Sequence, residues 1–132
     1  MPGGPAKPGR DESLSPPERL RRRDDYHRCY RKGQRKFGKH LTLFFVENQI
    51  GHPRLGMTVS RKVGGAVTRV KLKRRFREIY RRWPQRKDLP PLDLVIHAQP
   101  SSAPATFSEL ESDLTQQLRR ATRSFSETRR SD

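Results

Sequence analysis

The run Leu41-Thr42-Leu43-Phe44-Phe45-Val46 alternates two sets of residues, Leu41, Leu43 and Phe45 against Thr42, Phe44 and Val46. A period of two in β-branched and aromatic residues predicts a strand. Turn residues fill Asn48 to Pro53, and Arg54 to Ser60 repeats the alternation with Leu55, Met57 and Val59 inward, so a hairpin of the two strands is expected. From Ala66 to Trp83 the period changes. Leu72, Phe76, Ile79, Tyr80 and Trp83 fall within an arc of roughly 100°, the stripe of a core-facing helix, and Pro84 stops it. A third strand is expected at Leu92 to Ala98, then a last helix with Phe107, Leu110, Leu114, Leu118, Ala121 and Phe125 at three- and four-residue spacing. Near the start, Ser15-Pro16-Pro17-Glu18 has the form of a capping box with proline at the first helical position, and Asp24 offers a cap for a shorter helix. Either helix runs to about Tyr30, with Gly33 as the left-handed residue that ends it. The order α, β, β, α, β, α predicts an α+β or mixed sandwich with helices covering a small sheet.

Composition adds a partner to this outline. Residues 1–14 are Pro/Gly-rich and too poor in apolar surface to offset the entropy of ordering, which predicts a disordered tail. Residues 15–126 form the expected single domain, and 127–132 a C-terminal tail. Thirty Lys+Arg against fourteen Asp+Glu give a formal charge of +16. That excess destabilises a compact chain by self-repulsion unless a polyanion neutralises it, and nucleic acid is the leading candidate. A membrane partner is not expected, because no apolar run approaches the roughly 18 residues of a spanning helix and neither end carries a lipidation motif. The first residues lack the apolar centre of a signal peptide, so a cytoplasmic protein is expected. One cysteine, Cys29, excludes an internal disulfide and fits a reducing compartment.

The basic residues concentrate on the helix at 66–83. Arg69, Lys73, Arg77 and Arg81 recur every four residues as a ridge beside the apolar stripe, with Arg74 next to it, and only Glu78 answers them. A charged run is usually a solvated face. Solvated faces, however, mix both signs, and like charges at i, i+4 cost a few tenths of a kcal/mol per pair without a counterion. Phosphates satisfy such a ridge best. Tyr26 and Tyr30 lie one turn apart, and the outward Phe44 can join them as an aromatic floor flanked by Arg28, Arg31 and Lys32. Aromatic faces beside cations hold unpaired nucleotides, at about 1 to 3 kcal/mol per stacked base, although two tyrosines at helical spacing are more often core. Gly64-Gly65 ahead of the helix reads as a strand-to-helix turn. A protein-borne catalyst finds little support: His27, His40, His52 and His97 have no motif around them, and Asp24, Asp25 and Asp93 form no recognisable metal cluster.

Ser60-Arg61-Lys62-Val63-Gly64, Ala66-Val67, Arg69-Val70-Lys71-Leu72-Lys73-Arg74 and Arg77-Glu78 together resemble the signature of the bacterial ribonuclease P protein subunit, S-K-K-x-G-x-A-V-x-R-N-R-x-K-R-x-x-R. Asp25-Tyr26, Cys29-Tyr30, Arg31-Lys32-Gly33 and Leu41 to Phe44 extend the resemblance over about residues 19–125. It implies a small αββ(β)αβα sandwich whose central mixed sheet has a left-handed β-α-β crossover, against the usual preference. It also implies a subunit of an endoribonuclease in which catalytic RNA, using Mg²⁺, removes the 5′ leader of precursor tRNA. The protein itself would be non-catalytic and bind no metal, and no DNA partner is expected. Carried over by position, Arg69, Lys71, Lys73 and Arg74 would contact the catalytic RNA, with Arg61, Lys62 and Arg77 at the margin, while Tyr26, Tyr30 and Phe44 would line a leader cleft. The chain departs at Val70, where the family has asparagine, and at Lys71, where it has arginine, which keeps the charge and loses the bidentate fork. The alternative is a ribosomal or other structural RNA-binding protein, which shares the charge and size and lacks the motif.

Overall fold

The computed structural model describes residues 14–131. It contains three α-helices, α1 (Arg23–Lys32), α2 (Ala66–Arg82) and α3 (Phe107–Ser131), and four strands, β1 (Gln34–Phe37), β2 (Leu41–Glu47), β3 (Arg54–Thr58) and β4 (Leu92–Ala98). The strands form one mixed sheet in the order β1-β2-β4-β3. β1 with β2 and β2 with β4 run antiparallel, whereas β3 and β4 run parallel, joined through α2. The α+β class and the basic helix stand where the residue pattern puts them.

The expected hairpin of Leu41–Val46 with Arg54–Ser60 does not form. β4 lies between these strands because it is apolar on both faces, with Leu92, Leu94, Ile96 and Ala98 buried on one side and Val95 on the other. The loop after β2 crosses the start of β4, where the Asn48 backbone N–H donates to the Pro91 carbonyl at 2.8 Å and its side-chain amide to Asp93 at 2.9 Å. The hairpin partner of β2 is instead β1, whose sequence, Gln-Arg-Lys-Phe, carries no apolar alternation.

One face of the sheet packs against α2 and α3 in a core that includes Leu41, Leu43, Phe45, Leu94, Ile96, Leu72, Phe76, Leu110, Leu114 and Leu118. Burying a side chain of this kind contributes about 1.5 to 3 kcal/mol. On the opposite face a smaller cluster of Leu20, Cys29 and Val95, with Tyr26, Tyr30, Phe44 and Val46 partly buried around it, seats α1. α1 leaves the β1 end of that face uncovered, with Phe37 65% exposed.

The N-terminal readings need correction. The Glu18 carboxylate does accept from the Ser15 backbone N–H at 3.1 Å and hydroxyl at 2.7 Å, but the turn it closes is a 3₁₀ turn, Pro16–Glu18, and not the start of a long helix. The chain then leaves helical geometry because Leu20 is wanted elsewhere: its N–H bonds to the Leu55 carbonyl at 2.9 Å, and Arg19 bridges Leu55 along the outer edge of β3. α1 therefore starts at Arg23, with Asp24 inside its first turn and not capping it. Gly33 ends α1 with φ −81°, so left-handed geometry is not its reason. A Cβ there would stand 2.6 Å from the Phe45 carbonyl oxygen, and closer still to that of Cys29, so glycine serves the close approach of α1 to β2. Of the expected tail, residues 1–13 lie outside the described residues, whereas Leu14 is buried in the main core. At the other end α3 continues to Ser131, through most of the expected C-terminal tail.

Candidate nucleic-acid interface

The cleft begins where α1 stops covering the sheet. Strand register puts Arg54, Gly56 and Thr58 of β3, Asp93, Val95 and His97 of β4, Thr42, Phe44 and Val46 of β2, and Arg35 and Phe37 of β1 on the α1 side. Over this surface Tyr30 meets Phe44 edge to face with ring centroids 4.6 Å apart, and His97 stands at about 6 Å from both rings. The Tyr30 hydroxyl lies 2.7 Å from Thr58 Oγ1 and 3.2 Å from His97 Nδ1. Tyr26 packs further along β3, where its hydroxyl accepts the Met57 N–H at 3.1 Å and its ring fills the space left by Gly56. Burial pushes the phenol pKa of both tyrosines above the ordinary value. The two are thus half core and half platform: one edge holds the sheet while the other borders the open face.

A carboxylate anchors α1 from below. Asp93, fully buried, accepts from Arg54 Nε at 2.9 Å and Nη2 at 2.8 Å, takes the Asn48 amide, and lies 3.5 Å from Arg28. Hydrogen bonding to Asp93 raises the Arg54 pKa further against the opposing effect of burial. Arg28, expected beside the platform, also donates to the Glu47 carbonyl, so it braces α1 onto the sheet. Arg31 and Lys32 stay exposed.

The basic helix does not present one ridge to solvent. Arg69, Lys73, Arg77 and Arg81 are all partly buried, and Arg69 Nε donates to the Gly64 carbonyl at 3.1 Å. Lys73 and Arg77 line a pocket of about 390 Å³ with Arg19, Arg21 and Tyr26, so this part of the ridge opens toward the aromatic cleft. Burial, then the proximity of Arg19 and Arg74, lowers the Arg77 pKa below the ordinary guanidinium value, the mark of a cation held among cations. Lys71 and Arg74 belong to a second, shallower surface with Ala66, Val67 and Val70. Arg61 and Lys62 stand exposed in the turn before α2. The one acid of the helix, Glu78, pairs with Arg82 at 2.9 Å. The residues singled out from the sequence therefore do not form one patch: Tyr26, Tyr30 and Phe44 pack around one cluster, Lys73 and Arg77 share a pocket with Tyr26 alone of the three, Lys71 and Arg74 line the second surface, and Arg61, Lys62 and Arg69 line neither. Thr58, His97, Arg35 and Phe37 are additions from the structure. The first two follow only once β4 is known to separate β2 from β3, and the last two only once β1 is known to be a strand.

A family model described as ribonuclease P matches residues 14–122, nearly the whole described chain. The chain belongs to the bacterial ribonuclease P protein family. The ribonuclease P protein component of Clostridioides difficile is 32% identical over 101 residues, 76% of this chain and 89% of that protein. That of Syntrophus aciditrophicus is 46% identical over a shorter stretch, 52% of this chain and 58% of its own length. The structure of the Staphylococcus aureus RNase P protein superposes with a TM-score of 0.73 at 28% identity, covering 79% of this chain and 94% of that one. Membership makes the chain a subunit of the ribonuclease P holoenzyme, an endoribonuclease of tRNA processing, and sets aside the ribosomal alternative.

Proposed function

We propose that this subunit binds two RNAs. Arg69, Lys71, Lys73 and Arg74, with Arg61, Lys62 and Arg77 at the margin, hold the catalytic RNA of ribonuclease P, and Tyr26, Tyr30 and Phe44 receive the single-stranded 5′ leader of precursor tRNA. The observation that carries this reading is the Tyr30–Phe44 pair, an edge-to-face couple left partly open on a sheet face and continuous, through Tyr26, with the pocket of Lys73 and Arg77. Bases stack on such rings while cations hold their phosphates. No side chain is assigned a catalytic role. In this reading the Mg²⁺ of the reaction belongs to the catalytic RNA; the buried carboxylate of Asp93 is committed to arginine. No helix among the described residues is long and apolar enough to cross a membrane.

The test is reconstitution with a bacterial ribonuclease P RNA, measuring affinity for precursor and mature tRNA. Tyr30→Ala and Phe44→Ala should each weaken precursor binding by about 1 to 3 kcal/mol and leave mature tRNA nearly unchanged. Tyr30→Phe, which keeps the ring and loses only the hydroxyl's contacts with Thr58 and His97, should bind like the parent. Equal losses for both tRNAs would leave only a basic protein on RNA.

A further inference from the structure

Phe37 is the most exposed aromatic ring in the described structure, 65% accessible, on a strand that no helix covers from that side. Its register opposite Thr42 turns it to the cleft face, one pleat beyond Arg35, which stands opposite Phe44. The Arg35 guanidinium lies 5.7 Å from the centroid of Phe37 and 5.9 Å from that of Phe44, so one cation bridges the cleft's outermost ring and this isolated one. Tyr30, Phe44, Arg35 and Phe37 thus make one continuous strip from α1 across the sheet to its β1 edge.

Phe37 offers an open ring with a cation beside it, a surface that a partner can cover. A second copy of the chain is disfavoured: each copy carries +16, and the Arg35 and Lys36 side chains on β1 are the kind of charge that discourages edge-to-edge pairing. An unpaired nucleotide answers both features, its base covering the ring and its phosphate meeting Arg35. We infer that Phe37 and Arg35 form an additional nucleotide subsite, taking a base of the leader one or more steps beyond those held at Tyr30 and Phe44. This rests on the reading of the cleft as the seat of the leader and extends it onto β1.

The holoenzyme is assayed for affinity with precursors whose leader is lengthened one nucleotide at a time. Phe37→Ala should match the parent on short leaders and fall roughly five- to tenfold behind once the leader reaches β1, the low end for one stacked base because only one face of the ring is available. Phe37→Trp should restore the affinity and Phe37→Leu should not. Phe44→Ala should show its defect at shorter leaders. If Phe44→Ala separates precursor from mature tRNA while Phe37→Ala follows the parent at every length, the extension is wrong and the cleft reading stands. If Phe44→Ala treats both tRNAs alike, the cleft reading fails and the subsite with it. A Phe37→Ala protein that only loses concentration-dependent self-association gives the ring to a second copy and overturns the inference. Thermal melting guards against misfolding, and an exposed ring should leave it unchanged.

Discussion

The Cys29 thiol is fully buried beneath α1, 3.4 Å from the Asp93 carbonyl oxygen, and burial, with the Asp93 carboxylate nearby, pushes its pKa up to about 12. Since the thiolate is the reactive form, native protein should resist iodoacetamide at pH 8 and become reactive only as it unfolds, which mass spectrometry across a urea titration would show. The sign of the pH dependence follows. A thiol whose folded pKa is raised contributes stability that is intact below its ordinary value near 9 and is lost as pH climbs toward 12. Tyr26 and Tyr30 are shifted in the same direction. At this scale the sequence was an uneven guide. Tyr26, Tyr30 and Phe44 could be placed together from spacing and alternation, because those patterns are local. Arg28 could not be known to face inward, because its partners, the Glu47 carbonyl and Asp93, are 19 and 65 positions away in the chain.

Among the elements, α2 was legible almost to the residue, since its apolar stripe repeats over about three turns and glycine and proline bracket it. β4 was equally clear. β1 escaped notice because three of its four residues are polar, and the pairing of β2 escaped because apolar alternation names faces, not neighbours. What periodicity also hid is that the ridge is half-buried and that the basic residues of the helix divide between two surfaces. This division has a measurable consequence in the salt dependence of RNA binding. Each phosphate contact contributes about 0.7 to 0.9 to the slope of log K against log salt, so Lys71→Ala and Lys73→Ala should each flatten the slope for the catalytic RNA by roughly one contact. If the pocket side also serves the leader, Lys73→Ala alone should further flatten the slope for precursor tRNA. Slopes unchanged in both variants would mark the helix as merely solvated.

For the molecule as a whole, the +16 charge is an internal load that anions relieve. Sulfate should therefore raise the melting temperature beyond sodium chloride of equal ionic strength. A gain of about 1 kcal/mol, reached at several times the dissociation constant, corresponds to about 4 °C for a domain of this size. Calorimetry with the two salts would decide it, and equal shifts would reduce the effect to simple screening. The strand order has a different consequence, one of timing. β4 is the last of the four described strands to leave the ribosome, yet it lies inside the sheet, between β2 and β3. Until it emerges, β2 can pair only with β1, β3 has no strand to lie against, and the apolar faces of both wait without their partner. Pairings over such sequence distance are slow to form and expose the chain to aggregation meanwhile. A nascent polypeptide stopped before Leu92 would thus be a hairpin with a loose basic segment, and the protein would gain its fold in one late step, only after β4 has emerged.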